Sequence, residues 1–178
     1  LSHVPAQKQS LYFSATMNSQ VSQLIKQFSR EVVEVTIKQA GATDTVNQEI
    51  VHYFSEEKKF ETLQNLLLSS EVSKAVVFGR TKYGVKKLAA RLEKQGLRTD
   101  SIHGNKTQAQ RRRALAAFRN SHVDVLVATD VAARGIHVDN VSHVINYDLP
   151  NTFADYVHRI GRTGRGTASG EALTFVTA

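Results

Sequence analysis

Cysteine is absent from the 178 residues, which excludes disulfides and thiolate metal sites. The seven histidines show no compact ligand spacing such as H-E-x-x-H. No apolar run approaches the ~20 residues that a membrane-spanning helix needs. Nothing at the start reads as a signal peptide, so the expected compartment is cytoplasmic. No internal repeat or low-complexity tract occurs. Nucleophile and nucleotide motifs are scarce too. Ser14 has no G-x-S-x-G context. Gly104-Asn105-Lys106-Thr107 resembles the end of a G-x-x-x-x-G-K-[ST] loop, but Lys106 does not directly follow a glycine, and the position five before Gly104 is Thr99. No other Walker-type loop occurs, nor an obvious acidic Mg²⁺ site beside a strand.

What is abundant is positive charge. Lys and Arg total 23 against 16 Asp and Glu, a net charge of +7, with a pI of about 9.8. That balance favours a polyanionic partner, although it also suits a merely soluble protein. The content, 41% hydrophobic and 22% charged, is ordinary for a globular chain. The length fits one domain, or one domain with an appendage. Leu1 opens abruptly and Ala178 follows a strand-like run, so both ends are expected to be cuts in a longer protein.

Hydrophobic periodicity gives the organisation. Leu11-Tyr12-Phe13 is a short apolar run. Val21, Leu24, Ile25 and Phe28 predict a helix, with Asn18 or Ser19 as its cap. The β-branched stretch 32–37 predicts a strand. Residues 39–45 have no apolar periodicity and read as a linker. Strands then alternate with helices. Strands are predicted at 50–54, 75–79, 99–102, 123–128, 144–147 and 172–176. The helices carry Phe60, Leu63 and Leu67; Val85, Leu88, Ala89 and Leu92, stopped by Gly96; Leu115 and Phe118, capped by Thr107; a single turn at 131–134; and residues 153–160. Apolar strands separated by helices predict an α/β fold with a parallel sheet covered on both faces.

In such a sheet, ligands bind at the carboxyl ends of the strands. The residues there are Gly79-Arg80-Thr81-Lys82, His103-Gly104-Asn105-Lys106, Thr129-Asp130 and Tyr147-Asp148. Small, polar and basic types dominate, which suits gripping phosphates. Thr129 offers a hydroxyl at a helix start, where anions are favoured; Asp130 is also a good N-cap. Gly135 permits a sharp turn. Gln108 and Arg111 share a helix face, whereas Arg111, Arg112 and Arg113 fan around the axis, so at least one is simply solvated. The stretch from His158 to Arg165 holds three arginines and two glycines. With the helix ending near Gly161, Arg162 and Arg165 can address one target as a phosphate clamp; a basic solvated turn is the plainer alternative. His158 with Asp155 reads as a surface or interdomain contact rather than a catalytic pair.

Taken together, Ser14-Ala15-Thr16, Val77 to Lys82, His103-Gly104 with Gln108 and Arg111, Ala128 to Gly135, and His158 to Arg165 resemble the motifs of DEAD-box RNA helicases of superfamily two. They occur in the family's order and spacing over essentially the whole chain. The resemblance implies a RecA-like three-layer α/β/α sandwich with a mainly parallel sheet at 46–178, a linker at 39–45, and at 1–38 the remnant of a first RecA-like domain. The rest of that domain would hold ATP with Mg²⁺. By position, the resemblance implies that Arg162 and Arg165 are arginine fingers. It puts Gly135 and His137 near the ATP ribose, and Arg80, Thr81, Gly104, Gln108, Arg111 and Thr129 at the RNA. It gives Ser14, Thr16, His158 and Arg159 to coupling between the domains. Four positions depart from the family pattern: His137 for a usual Asp, Asn105 for a common Asp, and Gly79-Arg80 for Val-Asn. The expected partners are RNA and the first RecA-like domain, with no membrane and a dimer through the N-terminal remnant as one outcome. The chain alone is expected not to turn over ATP. The competing readings are a DNA-directed motor of the same superfamily and a binding module without turnover.

Overall fold

Residues 75–78 and 125–128 are buried at every position, so these strands must be covered on both sides. In the computed structural model they pair in parallel at the middle of a six-stranded sheet. Residues 5, 7–14, 17, 19–29, 31–35, 45–133, 140–164 and 169–178 are described. The chain forms two compact units, Leu1–Lys38 and Gln39–Ala178.

The first unit contains α1 (Ser19–Phe28). Its apolar stripe lies where the periodicity puts it, but Ile25 alone is buried. Ser29 Oγ donates to Tyr12 Oη at 3.2 Å. The strand predicted at 32–37 is not formed over Val32 to Val35, and Val33 and Val35 are 88% and 81% exposed. A β-branched run needs a neighbouring strand to take its hydrogen bonds. Here none is paired with it among the described residues.

The second unit runs β1 (Val46–Tyr53), α2 (Glu56–Leu68), β2 (Ala75–Phe78), α3 (Lys82–Lys94), β3 (Thr99–Ile102), α4 (Gln108–Arg119), β4 (Val125–Ala128), α5 (Asp130–Ala133), β5 (His143–Asn146), α6 (Phe153–Ile160) and β6 (Gly170–Thr177). The strand order is β1-β6-β5-β2-β4-β3, and every pairing is parallel.

The pleat divides the core. Val77, Val127 and Ile145 share one face with Phe60, Leu63 and Leu67 of α2 and Val85, Leu88 and Leu92 of α3. Val76, Leu126 and Val144 share the other with Ala114 and Phe118 of α4 and Ala133 of α5. Ile160 of α6 packs with Ala172, which pairs with Val144 and so lies on that second face. The result is the three-layer α/β/α sandwich.

Local chemistry sets the helix ends. Thr107 caps α4 in a reciprocal box with Gln110. Gly96, at φ +84°, ends α3 with the Leu97 N–H on Leu92 O and its own N–H on Glu93 O. This is the paired closure that favours glycine. β1 starts at Val46 rather than at residue 50. It is an edge strand, so Asn47-Gln48-Glu49 pair with β6 without being buried.

Candidate functional site

The backbone ladders continue past the strand ends and align the following loops along one rim. Gly79 N–H reaches Ala128 O at 3.0 Å, Asp148 N–H reaches Phe78 O at 3.1 Å and Thr129 N–H reaches Ile102 O at 3.2 Å. The loops after β2, β3, β4 and β5 therefore lie side by side.

Arg159, on the last turn of α6, is the anchor of this rim. It is 2% exposed. Its Nε and Nη2 donate to the two oxygens of Asp130 at 2.6 and 2.8 Å. Nη1 donates to Asp148 O at 2.6 Å and Asn146 Oδ1 at 3.1 Å, and the guanidinium sits 5.0 Å from the Phe78 ring centroid. Asn146, itself buried, donates to Thr174 Oγ1 at 3.0 Å. A bidentate, charge-assisted pair of this kind is strong and directional. Arg159 thus joins α6 to β5 and α5. Its own tip is enclosed. Asp130 is the first residue of α5, and Thr129 O receives the Ala133 N–H at 2.9 Å. The N-cap reading of Asp130 therefore gives way to an ion-pair role, set by a residue 29 positions away.

Beyond Arg159 the chain leaves α6 through Gly161, which has an ordinary negative φ of −65°. The left-handed residue is Gly164, at φ +63°. A Cβ there would stand 2.6 Å from Val46 Cγ2, so glycine is required by both torsion and space. Thr163 is buried, with its hydroxyl donating to Val141 O and Ser142 O. Gly164 O accepts from Thr45 Oγ1 at 2.6 Å. Between these anchors Arg162 is half-buried. Its Nε donates to His158 O at 3.2 Å, and it borders a hollow with Asp130, Asp155, His158 and Arg159. His158 is exposed. Arg165, Gly135, His137 and Thr16 lie outside the described residues. Ser14 is exposed on the first unit.

The remaining predicted residues occupy the other half of the rim. Arg80 is exposed, and its N–H donates to Asp148 Oδ2 at 2.8 Å. The Thr81 hydroxyl accepts from Gly84 N–H at 2.9 Å and caps α3, so it already has a structural task. Thr129 is 8% exposed. Gly104 faces open space, and Gln108 is exposed at the start of α4. Arg111 is half-buried; its Nη2 reaches toward Gly104 O at 3.4 Å, and its buried Nε has no partner among the described residues. His103, beside it, is buried, and its Nδ1 is likewise unpartnered. Burial, then Lys106, Lys86 and Arg111, push the imidazole below its ordinary range, so it is neutral at pH 7. The unpartnered Arg111 Nε–H, with Lys86 and Lys106 near His103, makes a locally positive stretch of the rim that an anion would satisfy.

The sequence reading missed Lys59, Asn146 and the role of Asp148. A signal for Lys59 was present: residues 59, 63 and 67 are four apart and share a helix face. Among the described residues no group of three or more carboxylates and imidazoles converges. No helix among them is long and apolar enough to cross a membrane.

An all-parallel six-stranded sheet covered by helices on both faces is the architecture of a RecA-like domain, and the solved structures it resembles are C-terminal domains of that kind. The family model described as helicase conserved C-terminal domain matches residues 58–167. The chain is 45% identical to the DEAD-box ATP-dependent RNA helicase CshA of Bacillus subtilis, over 99% of this chain and 36% of that protein. It thus spans about a third of the length of that curated relative. Among solved structures, E. coli DEAD-box protein SrmB bound to RraA gives a TM-score of 0.71 at 38% identity, covering 74% of this chain and 78% of that one. S. cerevisiae Dbp5 bound to RNA and ADP BeF3 gives 0.82 at 31% identity, covering 99% and 47%. The chain belongs to the helicase conserved C-terminal domain family, as the C-terminal domain of a DEAD-box RNA helicase.

Proposed function

We propose that this domain supplies Arg162 and Arg165 as arginine fingers to ATP held by a first RecA-like domain, and that its β2–β3–β4 rim binds the RNA backbone. The observation that carries this reading is the setting of Arg162. It projects from a turn pinned by buried Thr163 on one side and by the Arg159–Asp130 pair on the other. A guanidinium held in place before the reaction stabilises charge developing on the transferred phosphoryl group without paying reorganisation at that moment. In other NTPases such a residue is worth about 10³–10⁵ in rate. Gly135 and His137 are assigned near the ribose by family position. His158, exposed beside Arg162, is assigned to the contact with the first domain, together with Ser14 and Thr16; Arg159 acts there only as the brace behind them. Mg²⁺, when bound with ATP, supplies charge neutralisation, and its ligands belong to the other domain.

RNA is gripped through its phosphates. Arg111 and the backbone at Gly104 lie at the cationic stretch around His103, Arg80 stands exposed on the next loop, and Gln108 and Thr129 flank them. The 2′-hydroxyl is not addressed by any residue singled out, so contact here is to backbone charge and shape.

Two experiments test the two halves. The 178-residue chain alone should show no ATP turnover, and adding a purified first domain should restore some; turnover by the chain alone would refute the shared site. In the full-length helicase, Arg111→Ala should weaken RNA binding and reduce the slope of log K against log salt by about one. An unchanged slope would return Arg111 to a solvated face.

A further inference from the structure

Lys59 is the only charged residue of α2 that is buried, at 5% exposure. A buried ammonium is costly unless it is paired. Here Nζ donates to Asp148 Oδ1 at 3.2 Å and lies 4.2 Å from the Tyr147 ring centroid and 4.8 Å from that of Tyr53. Two ring faces and one carboxylate therefore share its charge. The other oxygen of that carboxylate, Oδ2, accepts the Arg80 N–H at 2.8 Å. Asp148 is held from behind as well, since its carbonyl receives Arg159 Nη1. The loop itself has little room to shift: a Cβ at Gly79 would stand 2.9 Å from Val85 Cγ2 and 3.7 Å from Asp148 Oδ2.

These contacts form a chain from the core to the rim. The cation on α2 fixes one carboxylate oxygen, and the second oxygen fixes the backbone at Arg80. We infer that Lys59 is a positioning residue: acting through Asp148, it holds the loop at residues 79–81 in the conformation from which Arg80 meets RNA. The inference rests on the RNA role proposed above for Arg80. Lys59 itself touches neither RNA nor ATP.

The test uses the full-length helicase. Lys59→Met keeps most of the stem and removes the charge; Lys59→Arg restores a cation. Three quantities are read: hydrogen exchange at the Arg80 amide, kcat and the KM for a single-stranded RNA in ATP hydrolysis, and the salt slope of RNA binding. With Lys59→Met, exchange at Arg80 should accelerate by about tenfold or more as the Asp148 acceptor is released. The RNA KM should rise by about tenfold, with kcat at saturating RNA unchanged. The salt slope should fall by no more than about one, the single phosphate contact that Arg80 makes. Lys59→Arg should recover most of both changes. Should Lys59→Met not fold, Asp148→Asn serves instead. Its amide has one acceptor oxygen for two donors, so the same release is expected.

Arg80 exchange at the wild-type rate would overturn the inference. So would a fall in kcat at constant KM, which marks a loss of folded enzyme only. Accelerated exchange with no change in KM, together with a silent Arg80→Ala, would leave Lys59 as the positioner of the loop and remove Arg80 from the RNA.

Discussion

Arg162→Ala in the full-length helicase is expected to lower RNA-stimulated ATP hydrolysis by about 10³-fold or more, while RNA binding persists. The separation follows from where the residues lie. Arg162 stands in the turn after α6, whereas Arg80, Gly104 and Arg111 stand on the loops after β2 and β3 and on α4. Removing the finger takes away charge stabilisation that matters in the transition state and leaves the phosphate-binding rim intact, so the loss belongs in kcat. Arg162→Lys sharpens the test. An ammonium keeps the charge but lacks the planar fork that two phosphate oxygens require, so this variant should recover little. The measurements are steady-state turnover at saturating RNA and equilibrium RNA binding at fixed salt. Hydrolysis that survives Arg162→Ala would remove Arg162 from the transition state.

The legible parts of this molecule are those governed by local pattern. β2 and β4, apolar at every position, announced a doubly covered parallel sheet. Thr107 and Gly96 marked helix ends through chemistry that acts within a few residues. The loops after the strands were found because topology alone places them on one rim. What escaped the sequence depends on long-range pairing. Asp130 has the composition of a helix cap, and only the approach of α6 turns it into the counter-ion of Arg159. Helical spacing puts Lys59 on the buried face of α2, but its partner, Asp148, lies 89 residues later and no local pattern names it. β1 begins four residues before its apolar stretch because an edge strand can be polar and still paired. The β-branched stretch 32–37 has strand propensity, but over the described Val32 to Val35 no neighbouring strand takes its hydrogen bonds.

Asp130→Ala is expected to destabilise the domain by about 3–5 kcal/mol, because it removes the counter-ion of a guanidinium that is almost wholly buried. Arg159 is 2% exposed at the side chain, against 22% for Asp130, so the burden of desolvation falls on the arginine. A domain of this size has roughly 5–15 kcal/mol of stability in total. The loss should appear as a fall in Tm of roughly 6–20 °C. Arg159→Met removes the buried charge and part of the problem, but it leaves Asn146 Oδ1 and Asp148 O without their donor, at about 1–3 kcal/mol each. The two changes share one interaction, so they should not add: the double variant Asp130→Ala/Arg159→Met should be more stable than the sum of the single losses predicts. Denaturant unfolding of all four proteins measures the coupling. Strict additivity, or a cost below about 1 kcal/mol for Asp130→Ala, would mean that water reaches the pair as it does a surface ion pair, and α6 would then lack the brace that aims Arg162.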